Sequence, residues 1–155
     1  MSLVLIGGYG LVDEYRAFAE SRGMRHVFFR GFIEEDIAVY YRASDTLVLP
    51  GMGGVVVSEA MAHALPPIVY RADGTELDLV VHEETGLLLE HGTPDDIRHA
   101  IERLARDPDE AARWGERGQQ RLKERFRTRD TALAVMRAVE SAAAARRGRE
   151  AAAGG

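Results

Sequence analysis

Short apolar runs and segments with helical spacing alternate along most of this chain. Each run is continuous and stops at a glycine, a proline or a charged residue, which is typical of a strand buried on both faces of a parallel sheet. The first run, Leu3–Ile6, is wholly apolar and is followed by Gly7. The pattern predicts strands at Leu3–Ile6, Val27–Phe29, Thr46–Leu49, Pro67–Tyr70 and Leu87–Leu89.

Helical spacing fills the intervals between the strands. Apolar residues recur three and four positions apart from Leu11 to Ala19, and Gly23 provides a stop. The acidic residues at 34–36 are expected in the first turn of the next helix, at the positive end of its dipole. Thr93 and Asp107 each precede a proline and acidic residues, which predicts two N-caps. Helices are predicted at Leu11–Arg22, Glu34–Ala43, from the end of the loop Gly51–Gly54 to about Ala64, Thr75–Val81, Pro94–Arg106, Pro108–Arg125 and Thr128–Ala145.

Strands separated by helices, followed by three helices in series, predict an α/β fold with a Rossmann-like open parallel sheet and helices on both faces. We expect one domain over residues 1–147 and a disordered tail over 148–155. Sheets of this kind bind ligands at the carboxyl ends of their strands, where glycine loops meet helix N-termini. Three loops meet that description, at 7–10, 31–33 and 50–55.

Composition excludes several classes of function. With 20 basic and 25 acidic side chains, the chain has no excess of positive charge for binding nucleic acid. It has no cysteine, which excludes disulfides, thiolate zinc sites and a cysteine nucleophile and favours a cytoplasmic location. No apolar run approaches the roughly 18 to 20 residues that span a bilayer. The N-terminus also lacks the basic and apolar segments of a secretion signal.

The segment Pro50–Val69 carries the clearest chemical signal. Its glycines allow backbone to approach a ligand, and the helix that follows directs free N–H groups and a positive dipole end to the same place, which suits a diphosphate. Glu59 lies about one turn into that helix, where its carboxylate could accept hydrogen bonds from a vicinal diol such as ribose. The alternative is a tight turn whose glycines only relieve steric crowding, with Glu59 solvated.

The segment Ser58–Val69, SEAMAHALPPIV, resembles the helix-and-strand signature of the C-terminal, donor-binding domain of retaining GT-B glycosyltransferases of the large family-4 group. The resemblance covers nearly the whole chain up to about Val139, and its landmarks follow in the family's order. They are LIGGYG at Leu5–Gly10, FFRGFI at Phe28–Ile33, YYRASDTLVLP at Tyr40–Pro50, Glu76, and HEETGLLL at His82–Leu89.

This resemblance implies that Glu59 binds the ribose hydroxyls of a nucleoside-diphosphate sugar. Gly53, Gly54 and the amides of Val55 and Val56 would hold the diphosphate. It implies no metal and no bound cofactor, because the helix dipole, amides and basic side chains stabilise the departing nucleoside diphosphate. The other implied donor-site residues are Gly31, Phe32 and Ile33 against the base, and Gly7, Gly8 and Gly10 facing the same cleft.

The sequence departs from the family at three positions in this segment. Gly51 stands where the family usually has a second glutamate that meets the donor sugar, Ala64 stands where glycine is usual, and Pro67 stands where valine is usual. We also expect that the strand and helix opening the family's domain, and its acceptor-binding N-terminal domain, are missing. The fragment alone would then be inactive, and the alanine-rich helix over Thr131–Ala145 would expose an apolar side that favours self-association.

Two other classes of function stay open from the residues alone. An NAD(P)-binding Rossmann domain would use Gly8–Gly10, but Asp13 occupies the third glycine position and Arg30 ends the strand where an acid should bind ribose. A non-catalytic flavodoxin-like interaction domain would need an acidic cluster at the carboxyl ends of the strands, where only Asp73 follows a strand closely. A nucleotide-sugar epimerase of the GT-B fold would place more acids and histidines in the cleft.

Overall fold

The computed structural model describes residues 1–8 and 10–153, with the side chains of 128, 131 and 147–153 excepted. The chain divides into two units, Met1–Ala43 and Ser44–Gly155. The first unit contains β1 (Leu3–Ile6), α1 (Val12–Ser21), β2 (Val27–Gly31) and α2 (Ile37–Arg42). The second contains β3 (Leu47–Leu49), α3 (Gly54–Ala62), β4 (Pro67–Tyr70), α4 (Thr75–Leu79), β5 (Leu87–Leu89), α5 (Pro94–Arg106), α6 (Pro108–Arg125) and α7 (Thr128–Ala153).

In the first unit, β1 and β2 pair in parallel, as expected for strands joined by a helix. The expectation that β1 is buried on both faces is wrong, because its four residues are all exposed, from 46% at Leu3 to 36% at Leu5. The apolar side of α1 is also open, with Tyr15 and Phe18 exposed and Ala19 buried. Two strands and two helices supply too few elements to cover both faces of a sheet.

The start of α2 differs from the prediction. The helix begins at Ile37, and Asp36 before it has a φ of 63°, in the left-handed region. A right-handed helix cannot include a residue in that conformation, so the acidic residues at 34–36 precede the helix and do not lie in its first turn. Their predicted placement in the first turn of α2 is therefore wrong.

In the second unit, β3, β4 and β5 form a parallel sheet in that order. Successive strand residues point to opposite faces, so β4 contributes Ile68 to one hydrophobic cluster and Val69 to another. The Ile68 cluster includes α5 and Trp114 of α6, and the Val69 cluster includes α3, α4 and Leu122 of α6. The predicted α/β class is confirmed, with helices on both faces of this sheet, and the five strands are shared between two parallel sheets.

The two predicted N-caps are confirmed. The N–H of Asp96 donates to the Thr93 hydroxyl at 3.2 Å, and the N–H of Glu110 donates to the Asp107 carboxylate at 2.8 Å. α7 extends to Ala153 and so passes through 148–153, where a disordered tail was expected; Gly154 and Gly155 lie outside the described residues. Within the described part of the chain, no helix is both long and apolar enough to cross a membrane.

Side chains of α6 donate hydrogen bonds to the C-terminal ends of two other helices in the second unit. The side-chain amide of Gln119 donates to the Ala62 carbonyl at the end of α3, at 2.7 Å. The guanidinium of Arg121 donates to the carbonyls of Asp78 and Leu79 at the end of α4, at 2.8 and 3.1 Å. Carbonyls at helix ends lack intrahelical partners, so these bonds satisfy groups that would otherwise need water. α6 therefore holds α3 and α4 in fixed positions.

Candidate functional site

The N-terminus of α3 forms the glycine-rich part of the candidate site. The N–H of Val57 makes the first helical hydrogen bond, to the Gly53 carbonyl at 3.1 Å, so the N–H groups of Gly54, Val55 and Val56 precede the helical series. Gly53 is the N-cap residue and has no side chain to accept a hydrogen bond from these N–H groups. Val55 is 72% exposed, which leaves this helix end accessible to a ligand. The arrangement provides N–H donors and a positive dipole end suited to an anion.

The glycines at and just before the start of α3 differ in how much space their surroundings would leave for a side chain. A Cβ on Gly54 would lie 2.7 Å from the methyl carbon of Thr75, and one on Gly53 would lie 2.8 Å from a methyl carbon of Leu49. A Cβ on Gly51 would meet nothing within 4 Å. Gly54 therefore allows the loop after β4 to approach the start of α3, whereas Gly51 has room for a side chain.

Glu59 lies on α3 with its side chain exposed. The same helix buries Val57, Ala60 and Met61 against the sheet, so the apolar contacts set the rotation of the helix that carries Glu59. The predicted diphosphate residues and Glu59 thus occupy one short helix, a turn or so apart. Both parts of the prediction from Pro50–Val69, a glycine loop and a helix bearing an exposed carboxylate, have the expected local structure.

The loop between β4 and α4 adds residues that the sequence analysis named only as landmarks. Glu76 is 6% exposed, and its carboxylate accepts hydrogen bonds from the backbone of this loop. Asp73 accepts the N–H of Thr75 at 3.0 Å and also the Thr75 hydroxyl. The Thr75 hydroxyl, and then its N–H, hold the pKa of Asp73 below its ordinary value. The run Ala72–Glu76 could have signalled a tight turn, but its contact with Gly54 depends on the tertiary fold.

The first unit brings together its own two glycine loops. The N–H of Gly7 donates to the Gly31 carbonyl at 2.7 Å, which joins the carboxyl ends of β1 and β2. Gly31 has a φ of +67° and Gly8 a φ of +116°, both in the region that favours glycine, and a Cβ on Gly8 would overlap a methyl of Val12. The remaining predicted residues here are Gly10, with a φ of +91°, Phe32, which is 63% exposed, and Ile33, which is half-buried.

The predicted donor-site residues therefore fall into two sets. The second unit holds the set of Glu59, Gly51, Gly53, Gly54, Val55 and Val56 on α3 and on the loop between β3 and α3. The first unit holds the set of Gly7, Gly8, Gly10, Gly31, Phe32 and Ile33. Each set lies at the carboxyl ends of parallel strands, the position where α/β proteins bind ligands.

Comparison with known proteins identifies the family. The family model for glycosyl transferases group 1 matches residues 1–121. The chain is 28% identical to a GDP-mannose-dependent alpha-(1-6)-phosphatidylinositol monomannoside mannosyltransferase of Mycobacterium tuberculosis, over 77% of this chain and 34% of that protein. The chain spans 26% to 39% of the length of the curated relatives it matches.

Solved structures show the same fold. Sucrose-phosphate synthase from Thermosynechococcus elongatus superposes with a TM-score of 0.79 and 29% identity, over 93% of this chain and 39% of that one. The Anabaena protein HepE, solved in complex with UDP, has a TM-score of 0.79 and 24% identity, over 91% of this chain and 41% of that one. The family match covers most of the chain, and the fold and the local structure of the glycine loop agree with it. The chain belongs to the glycosyl transferases group 1 family.

Proposed function

We propose that this chain is the donor-binding part of a retaining glycosyltransferase and binds a nucleoside-diphosphate sugar. The observation that carries the proposal is the N-terminus of α3, where three N–H groups precede the helical hydrogen-bond series and Glu59 follows on the same helix. A diphosphate accepts hydrogen bonds and carries negative charge, so it suits this helix end.

Each candidate residue has a part in the proposed site. The diphosphate is held by Gly53, Gly54 and the amides of Val55 and Val56. The carboxylate of Glu59 accepts hydrogen bonds from the ribose hydroxyls. In the first unit, the family resemblance assigns the turn Gly31–Ile33 to a nucleoside base and assigns Gly8 and Gly10 to donor binding, and we propose these roles for them. No metal ion takes part in this proposal, because the helix dipole and the amides stabilise the charge that develops on the departing nucleoside diphosphate.

The related proteins support a nucleotide-sugar donor and leave the base open. The mycobacterial relative is named as GDP-mannose-dependent, whereas HepE was solved with UDP. The sugar is also open, because Gly51 brings no carboxylate to the position that the family resemblance assigns to sugar recognition. We therefore propose a donor class, not a particular donor.

The intact enzyme needs more chain than is present here. Because this chain spans about a third of the relatives' length, we propose that acceptor binding resides elsewhere in the protein and that the chain alone binds donor without turnover.

A cytoplasmic location, expected from the cysteine-free composition, remains part of the proposal. We also propose that the chain self-associates through α7, because three of its apolar side chains are exposed: Leu133 by 40%, Met136 by 57% and Val139 by 63%.

The test is calorimetric titration of UDP, GDP, ADP and their sugars into the wild-type chain, Glu59→Ala and Glu116→Ala. Glu116 is exposed on α6 and serves as a matched loss of one carboxylate outside the proposed site. We expect saturable binding of one nucleotide series, weakened at least about tenfold in Glu59→Ala and unchanged in Glu116→Ala. Absence of binding by a folded chain would contradict the proposal, and binding of NAD(P) alone would favour a dinucleotide-binding domain.

Retention has its own test in the intact enzyme. The anomeric configuration of the first-formed product, read by proton NMR, should match that of the donor sugar. An inverted product would remove the retaining mechanism from the proposal and leave the donor site unaffected.

A further inference from the structure

We infer that Glu76 is a positioning residue of the donor site, which holds the loop Ala72–Thr75 against the N-terminus of α3. This inference rests on the proposed function, because it assigns the diphosphate to that helix end. Glu76 itself touches backbone of its own loop and is not placed in contact with the donor.

The first step of the argument is the environment of the Glu76 carboxylate. The residue is only 6% exposed, whereas the other acidic residues of this segment, Asp73 and Asp78, are exposed. Its Oε1 accepts hydrogen bonds from the N–H of Ala72 at 2.7 Å and from the N–H of Gly74 at 3.2 Å. Its Oε2 accepts a further hydrogen bond from the same Gly74 N–H at 3.2 Å. A carboxylate is costly to bury, and hydrogen bonds from N–H groups offset that cost.

The second step is the backbone that these bonds hold. Gly74 has a φ of +95°, and the loop turns there before α4 begins at Thr75. Binding the N–H groups of Ala72 and Gly74 to one carboxylate closes the loop into a fixed shape. The position of Thr75 is therefore set by Glu76 on one side and by the hydrogen bonds of Thr75 to Asp73 on the other.

The third step is the contact between the loop and α3. A Cβ on Gly54 would lie 2.7 Å from the Thr75 methyl and 2.9 Å from the Thr75 Cβ, so Thr75 packs directly on the Gly54 backbone. Gly54 is the first residue of α3, and its N–H is among the donors proposed for the diphosphate. A displaced loop would release this contact and allow the N–H groups of Gly54 and Val55 to change direction.

Two substitutions at Glu76 separate the carboxylate from its packing. Glu76→Ala removes every acceptor and leaves the N–H groups of Ala72 and Gly74, which lie at a part-buried site, without the carboxylate that binds them. Glu76→Gln keeps the volume and one oxygen, but its NH₂ group opposes the Gly74 N–H and the charge is lost. Asp78→Asn is the matched control, since it removes one carboxylate from the same helix at an exposed position.

The experiment combines two readouts on the wild-type chain and these three variants. Backbone amide chemical shifts of Gly53, Gly54 and Val55 report the local geometry without ligand, and titration with UDP, GDP and ADP reports affinity. We expect the amide shifts to move in both Glu76 variants. We expect the dissociation constant to rise about threefold in Glu76→Gln and about tenfold or more in Glu76→Ala. Asp78→Asn should match the wild type in both readouts.

The two readouts distinguish failure of this inference from failure of the proposed function. Unmoved Gly54 and Val55 amides in a folded Glu76→Gln chain would overturn the positioning role, as would affinity equal to wild type in both Glu76 variants. A wild-type chain that binds none of UDP, GDP and ADP would overturn the proposed function. The amide shifts would then decide alone whether Glu76 holds the loop against α3. If Glu76→Ala fails to fold, Glu76→Gln carries both readouts.

Discussion

Gly115 of α6 packs directly on the backbone carbonyl of Ala64, and a Cβ at Gly115 would overlap that oxygen. Because Ala64 follows the end of α3, this contact places α6 directly against the turn that ends α3. The hydrogen bond from Gln119 to the Ala62 carbonyl lies in the same region. The placement of α3, and with it the glycine loop and Glu59, thus depends on a residue without a side chain on another helix.

Gly115→Ala should therefore destabilise the chain by more than about 2 kcal/mol, since backbone on both sides resists the added methyl. Gly118→Ala is the comparison, because its Cβ would lie 3.3 Å from the flexible end of Met61 and the substitution also improves helix propensity. We expect the Gly118 variant to stay within about 1 kcal/mol of wild type. Urea unfolding followed by circular dichroism measures both, and equal effects would contradict the packing argument.

Ala64→Gly should stabilise the chain. Ala64 has a φ of +56°, and this left-handed conformation costs a residue with a Cβ roughly 1 to 2 kcal/mol. Glycine avoids that cost, but its greater flexibility in the unfolded chain lowers the free energy of unfolding by about 0.5 to 1 kcal/mol. The expected gain is about 0.5 to 1 kcal/mol in urea unfolding. A loss of stability would mean that the Ala64 side chain makes packing contacts worth more than its backbone strain.

Gly51→Glu should fold with wild-type stability, because a Cβ there meets nothing within 4 Å. It restores the carboxylate that the family resemblance places near the donor sugar. We expect the affinity for the preferred nucleotide sugar to change relative to that for the nucleotide alone, as measured by paired titrations. Gly54→Ala is the contrast, since its Cβ would meet Thr75 and should weaken binding of nucleotide and nucleotide sugar alike. An unchanged ratio in Gly51→Glu would place the sugar away from this loop.

The ion pair between Glu83 and Arg103 predicts a pH dependence of stability. The Arg103 guanidinium holds the pKa of Glu83 below its ordinary value of 4.5, through a hydrogen bond first and charge attraction second. Because the folded-state pKa is lowered, the stabilisation is complete above the unfolded-state pKa of about 4.5 and is lost as the pH falls from there through the folded-state pKa. The stability difference between wild type and Glu83→Gln should shrink below about pH 4.5. A difference that stays constant from pH 7 to about pH 3 would contradict this.

The sequence correctly predicted the helix starts at which a capping side chain is followed directly by proline and acidic residues. α5 and α6 begin at the predicted residues because Thr93 and Asp107 cap them through their own side chains. The start of α2 was wrong because an aspartate suits both the first turn of a helix and the left-handed conformation that Asp36 adopts, and spacing does not distinguish the two. Burial of β1 was wrong because it depends on which elements cover the sheet, and an apolar run alone does not determine that.

The same distinction applies to the candidate site. The glycine loop and Glu59 lie within one continuous segment, so their arrangement follows from a strand-to-helix turn and could be predicted. The packing of Thr75 on Gly54 joins residues of different loops, and the burial of Glu76 depends on the surrounding fold. Neither follows from spacing along the chain, so the importance of Gly54 could be predicted while its contact with Thr75 could not.

The unequal burial of the two units has a consequence for how the chain loses its structure. Among the described residues, the buried hydrophobic side chains of the first unit are Ala19 and Tyr41, whereas β4 of the second unit buries Ile68 and Val69 almost completely. Resistance to local opening follows buried apolar contact. Amides of β1 and β2 should therefore exchange with solvent through partial unfolding, while those of β4 exchange only when the whole second unit opens. The helix proposed to hold the diphosphate belongs to the cooperative unit that opens last.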